Sequence, residues 1–236
     1  MQTVTLSLFR FDSIAARLWA FGMMGAGRFA LRRVPGLQFW KLCGTGTGEG
    51  FTPHPNTHVY AILCAWPDAE TARTRLETAR IFRRYRARAV EDWTVFLTPT
   101  SVRGQWSGTI PFHAQSAPET GPLAAMTRAS VRPSRALRFW ARVPDISAVI
   151  GADPNVIFKI GIGEVPLLHQ VTFSIWPDAQ TMAAFARDRD GPHARAIRAV
   201  RDENWFQEEL YARFRVTGER GTWGGASPLA PVKGHA

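Results

Sequence analysis

HVYAILCAWPDA, residues 58–69, is the stretch from which the fold follows. His58 to Trp66 is a run of apolar and β-prone residues and predicts a strand. Pro67 and Asp68 then start a helix, with Asp68 suited to cap its free N–H groups. The end of the stretch returns later in the chain as Trp176-Pro177-Asp178-Ala179. Around it, Lys41 recurs as Lys159, Arg10 as Arg128, Gly48-Glu49 as Gly163-Glu164 and Trp93 as Trp205. Arg103-Gly104-Gln105-Trp106 likewise matches Arg220-Gly221-Thr222-Trp223. The matches keep their order with small insertions, which marks an internal duplication.

Working outward, the first copy opens with an alternating strand, Thr3 to Arg10, and a helix capped by Asp12 or Ser13 that runs to about Arg33. Strands follow at Leu37–Cys43, His58–Trp66 and Thr94–Leu97, with a helix between the last two that puts Phe82, Tyr85, Ala89 and Trp93 on one face. The order is βαββαβ. The class is therefore α+β: two tandem ferredoxin-like halves whose sheets pair into one domain of the dimeric-α/β-barrel kind. The halves are read as residues 1–98 and 122–225, joined by a Pro/Ser/Thr/Gly-rich linker at 99–121 and followed by a disordered tail at 226–236.

The second copy ends in DGPHARAIRAVRDENWFQEELYARFRV, residues 190–216. Asp190, Gly191 and Pro192 suit a helix start, and His193, Ile197 and Val200 then share one face. After Asn204 the chain alternates: Leu210, Ala212, Phe214 and Val216 face one way, Tyr211, Arg213 and Arg215 the other. His193 thus lies on an apolar helix face above a sheet.

The net charge is +10, nearly all of it arginine, since Lys41, Lys159 and Lys233 are the only lysines. The arginines are spread along the chain without a nucleic-acid motif, so no nucleic-acid partner is expected; an anionic membrane surface suits them better. Cys43 and Cys64 make no disulfide framework. No basic segment precedes an apolar core at the N-terminus, and no apolar run is long enough to span a bilayer. A cytoplasmic protein, peripheral to a membrane, is the expectation.

Several motifs admit two readings. The glycine stretch Gly44–Gly50 lacks the Gly-Lys-Ser/Thr of a phosphate loop and leads into Pro53 and Pro55, so it reads as a connection between strands. Cys43 suits a small apolar position at a strand end or a nucleophile or thiolate ligand. The six histidines lack helical i, i+4 pairing, which disfavours a metal site built from several side chains. A haem needs one axial ligand, and His193 suits that role as well as it suits a structural position. The first helix mixes Trp19, Phe21, Met23, Met24 and Phe29 with Arg17, Arg28, Arg32 and Arg33; it is either a core helix with solvated arginines or an interfacial helix.

Four segments together carry a resemblance. Phe39-Trp40-Lys41-Leu42-Cys43-Gly44, Trp66-Pro67-Asp68-Ala69, Gly191-Pro192-His193 and Trp205 to Phe214 (WFQEELYARF) resemble the spheroidene monooxygenase family, the acyclic carotenoid ketolases of purple phototrophic bacteria. The resemblance runs from Thr3 to about Gly225. It implies oxygen-dependent conversion of an allylic methylene of a linear carotenoid to a ketone by two hydroxylations, as in spheroidene to spheroidenone. It also implies haem iron, electrons from a donor protein such as ferredoxin, and a place at the intracytoplasmic membrane. On this reading His193 is the axial ligand, with Cys43 its competitor. Arg213 polarises bound dioxygen, and Lys41 and Lys159 pair with haem propionates or simply hold a repeated fold position. The rivals are a haem- or lipid-binding carrier without turnover and a cofactor-free monooxygenase.

Overall fold

The computed structural model describes residues 1–48, 52, 54–116, 120–136, 140, 155–165, 167–187 and 206–230. Eight strands close into an antiparallel barrel in the order β1-β3-β2-β6-β7-β5-β8-β4. They are β1 (Thr3–Arg10), β2 (Phe39–Gly46), β3 (Pro55–Trp66), β4 (Glu91–Gly104), β5 (Leu123–Val131), β6 (Phe158–Gly163), β7 (His169–Trp176) and β8 (Phe206–Gly221). The helices described are α1 (Ile14–Leu31), α2 (Ala69–Thr78), α3 (Arg80–Arg86) and α4 (Ala179–Arg187).

Side-chain alternation decides what the barrel encloses. Val4, Leu6 and Leu8 of β1, Ala61 and Leu63 of β3, Val95 and Leu97 of β4, Phe173 and Ile175 of β7, and Leu210, Ala212 and Phe214 of β8 all belong to one buried apolar cluster. The face read as apolar on the last strand is thus the barrel interior, and Tyr211, Arg213 and Arg215 look outward. A second apolar cluster lies outside the wall of the first half. There Phe9, Tyr60, Ile62, Cys64, Trp66 and Phe96 meet Ala20, Met23 and Leu31 of α1, Leu76 of α2 and Phe82 and Tyr85 of α3.

The repeated Trp-Pro-Asp-Ala does the same structural task twice. Trp66 and Trp176 end their strands buried, donating their indole N–H to Thr5 and Ser174 at 3.0 and 2.9 Å. Asp68 and Asp178 then accept from the N–H of Thr71 and Thr181, each at 2.7 Å, and cap α2 and α4. Backbone N–H donation holds both carboxyls below the ordinary range.

Three expectations need correction. The glycine stretch is not all loop: Gly44 and Thr45 pair with Gly163 and Ile162, forming one of the two seams between the halves. The other seam runs along β4 and β8 as far as Gly104, so the first residues read as linker belong to the sheet. At its ends Gly104 and Gly221 have φ of +95° and +83°, and a Cβ on either would come within 2.1 Å of the carbonyl of Glu209 or Asp92. Last, the ladders shift four of the repeat matches. Gly44 and Gly163 pair with Tyr60 and Gln170, so Gly163 corresponds to Gly44 rather than to Gly48. Trp66 and Trp176 pair with Thr3 and Leu123, so Leu8 corresponds to Arg128 and Arg10 to Ser130. Phe39 and Phe158 pair with Ala65 and Ile175, so Lys41 corresponds to Ile160 and Lys159 to Trp40. Glu91 pairs with Arg10 and Glu208 with Ser130, so Trp93 corresponds to Leu210 rather than Trp205.

Candidate functional site

Two surfaces collect the chemistry-bearing side chains, one on each side of the barrel wall. The inner one sits at one end of the barrel. Arg128 points inward from β5 with 1% of its side chain exposed and pairs with Glu208 of β8 and Ser130. Glu164, just past β6, receives the Lys41 ammonium at 2.7 Å and the Trp106 indole N–H at 2.6 Å, with Arg128 at 4.0 Å. Lys41 also donates to the Ser107 hydroxyl at 2.7 Å and lies over the rings of Phe39 and Trp106.

The turn Trp106–Thr109 closes this end. Ser107 and Gly108 have φ of +55° and +72° and donate their N–H groups to Glu208 at 2.8 and 2.7 Å. The matching turn at the other end uses Gly224 and Gly225, with φ of +69° and +82°. A serine where the other copy has glycine carries backbone strain, and its hydroxyl accepts from Lys41. Burial raises the Glu208 carboxyl, but the N–H groups of Gly108 and Ser107 and the Arg128 guanidinium outweigh it and hold the group below its ordinary value.

His169 borders the cluster, with Nδ1 3.9 Å from Glu164. Burial pulls its pKa down against the pull of Glu164, so the ring favours its neutral form. Cys43 is fully buried beside the same charges. Burial, reinforced by Glu164, pushes its thiol far above the ordinary range despite Lys41 and Arg128. With no metal bound, the Cys43 thiol is therefore held in its protonated form. Beside the cluster lies a cavity of about 450 Å³. Leu31, Leu37, Phe39, Trp40 and Leu42 line it together with the charged Lys41, Glu164, Arg28 and Arg32.

The outer surface is the outside of the second half's sheet. One register row crosses it: Lys159 pairs with Ser174, Ser174 with Ala125, and Ala125 with Arg213. The next row runs Gly161, Thr172, Thr127, Tyr211. The two cations thus stand three strand spacings apart, about 14 Å, with only small side chains between. The corresponding outer face of the first half carries large aromatic and aliphatic groups beneath α1–α3.

These placements divide the residues expected from sequence. Arg213 and Lys159 share the outer face. Lys41 does not join them: it lies on the other side of the wall, its ammonium already held by Glu164. His193 and the rest of its helix lie outside the described residues. Glu164, Glu208 and Arg128 were missed as a cluster. The only signal for them was the Gly-Glu match and an arginine aligned two residues out of register.

No profile of a known protein family matches the chain. Individual proteins do. It is 53% identical over 230 residues to the spheroidene monooxygenase of Cereibacter sphaeroides, covering 97% of this chain and 71% of that protein. It is 50% identical to the spheroidene monooxygenase of Rhodobacter capsulatus, covering 98% and 96%, and 36% identical to that of Rubrivivax gelatinosus, covering 89% and 81%. Among solved structures, an aldoxime dehydratase crystallised with butyraldoxime shares the fold, with a TM-score of 0.62 at 11% identity over 91% of this chain and 79% of that one.

Proposed function

Because this chain belongs to the spheroidene monooxygenase family, and is by that membership a monooxygenase, we propose that it converts an allylic methylene of an acyclic carotenoid to a ketone, with haem on the outer face of its second half. The observation that carries the proposed site is the row Lys159–Ser174–Ala125–Arg213. A flat group bearing carboxylates fits small side chains flanked by two cations. The barrel interior, filled by apolar side chains, does not fit it. The same strand order in both halves, β4-β1-β3-β2 and β8-β5-β7-β6, supports reading them as tandem ferredoxin-like units.

In this reading Lys159 holds a carboxylate by a charge-assisted hydrogen bond. Arg213, at the other end of the row, would offer its guanidinium as a hydrogen-bond donor to the reacting oxygen. His193, whose helix is expected from the sequence alone, would supply an imidazole to the iron. Haem supplies the reductive activation of dioxygen. Each hydroxylation consumes one O2, two electrons and two protons; one oxygen atom enters the C–H bond and the other leaves as water. A second hydroxylation at the same carbon gives a geminal diol, which loses water to the ketone. The electrons come from a donor protein such as ferredoxin, and the carotenoid is delivered from a membrane surface.

An absorbance spectrum tests the reading. Purified or haem-reconstituted protein is expected to show a Soret band that shifts on adding dithionite and carbon monoxide. A protein that stays colourless after reconstitution, yet oxidises the carotenoid, sinks the haem assignment in favour of cofactor-free chemistry.

A further inference from the structure

The outer side of α1 has no partner within the described chain. Ile14, Leu18, Phe21 and Phe29 stand 73%, 67%, 67% and 67% exposed. Their spacing of four, three and eight residues places them along one side of the helix. The opposite side, Ala20, Met23, Gly27 and Leu31, is buried against the barrel. Gly22 and Gly25 lie on the exposed side with open space where a Cβ would be, so the stripe is not interrupted by polar groups. Large apolar groups lined up on a surface mark an interaction site rather than the scatter normal for a soluble protein.

Charge selects the partner. From Ile14 to Arg33 there is no acidic residue, while Arg17, Arg28, Arg32 and Arg33 edge the stripe or follow it. Arg17 is steadied by Thr57 and Arg28 by the Met24 carbonyl. Two copies of this face brought together by a two-fold axis would set arginines against arginines with no carboxylate between them. An anionic bilayer satisfies both features: acyl chains accept the stripe and headgroups accept the guanidinium groups. Arg28, Leu31 and Arg32, at the C-terminal end of the same helix, also line the cavity of about 450 Å³.

We propose that α1 docks this protein on an anionic lipid bilayer, with Ile14, Leu18, Phe21 and Phe29 inserted among the acyl chains. Docked this way, Arg28 and Arg32, which also line the cavity, lie at headgroup level. The proposal rests on the carotenoid substrate for its purpose but not for its geometry.

The test uses the full chain with vesicles of phosphatidylcholine alone and of phosphatidylcholine mixed with phosphatidylglycerol. The wild type is expected to sediment with the mixed vesicles and less with the neutral ones, and rising salt is expected to weaken binding to the mixed vesicles. The Leu18→Ser/Phe21→Ser pair, neither residue lining the cavity, is expected to bind at least tenfold more weakly with an unchanged circular dichroism spectrum. Its turnover of detergent-dispersed carotenoid stays at the wild-type rate, while turnover of vesicle-borne carotenoid falls. The docking proposal is overturned by wild type that binds neither vesicle, by a variant that binds as well as wild type, or by self-association that the substitutions abolish. Absence of all carotenoid turnover in a protein that still binds vesicles overturns the proposed function instead and leaves the docking intact.

Discussion

The two halves of the barrel are built on matching ladders yet dress their walls differently. Outside the first half, Phe9, Tyr60, Ile62, Cys64, Trp66 and Phe96 are packed beneath α1–α3. Outside the second half, Ala125, Thr127, Thr172 and Ser174 occupy the central strands, with Lys159 and Gly161 on β6 and Arg213 on β8 flanking. Inside, the contrast reverses. Leu8 in the first half is replaced by the buried Arg128 in the second, and around Arg128 gather Glu164, Glu208 and Lys41. Among the described residues, the outer face of the first half is packed with large side chains, while that of the second carries smaller ones, with Ala125 beside Leu123, Trp176 and Met182, and a buried charge cluster on its inner side. Matching ladders can thus carry unlike side chains on both faces of the wall.

The most drastic way to break this contrast is at the outer face. His193→Ala is expected to lose haem and to lower ketone formation by orders of magnitude, because the imidazole is the proposed iron ligand there. Cys43→Ser is expected to retain both, since the Cys43 thiol is held protonated inside the barrel. Haem content by pyridine haemochrome and turnover of the two variants decide between them. Full haem in His193→Ala together with its loss in Cys43→Ser would move the site into the barrel.

A second test compares the two arginines that the repeat seemed to match. Arg128→Leu installs what the first half carries, but strands Glu208 and weakens the pairing of Glu164. Breaking a buried pair from one side costs about 3–5 kcal/mol, which at about 2–4 °C per kcal/mol lowers Tm by roughly 10 °C. Arg10→Leu removes a guanidinium that is 45% exposed and 3.6 Å from Glu91, a loss of under about 1 kcal/mol. Thermal unfolding of both variants is the measurement. Equal losses would mean that Arg128 is no brace.

These comparisons also explain what could be read from the sequence. β1 was legible to the residue because its alternation runs uninterrupted from Thr3 to Arg10. The start of α1 followed from Ser13, which accepts from the Ala16 N–H as an N-cap should. The matches around Trp66 and Trp176 held because a strand end, a tryptophan and a capping aspartate form one local unit. The match of Lys41 to Lys159 failed by one residue, and in a strand one residue is the difference between the two faces of the sheet. Arg10 and Arg128 failed by two, which keeps the face but changes the depth, from the rim to the interior. Sequence identity signals neither error, because register is set by pairing across strands far apart in the chain. Glu164 and Glu208 were invisible for the same reason: each gains its meaning from a turn, Trp106–Thr109, supplied by the other half.

The smallest effect expected is one of pH, and it sharpens the comparison of the two barrel ends. Glu208 accepts from Ser107 and Gly108, and Glu91 accepts from Gly225 at 2.7 Å and from Thr222. At each site burial works to raise the carboxyl, and the turn N–H groups and an arginine outweigh it, so both end below their ordinary value of 4.5. A carboxyl depressed in the folded state binds its proton more readily when unfolded. Its stabilisation is therefore complete above about pH 4.5 and is lost as pH falls through the folded value. Glu91→Gln and Glu208→Gln are each expected to flatten the decline of unfolding free energy below about pH 4.5. The two glutamates sit at opposite ends of the β4–β8 ladder and share no partner, so the flattening should add in the double variant. Urea unfolding between pH 7 and pH 3 reads this directly. Curves for the single variants that run parallel to wild type would show that the turns hold these carboxylates by shape and not by charge.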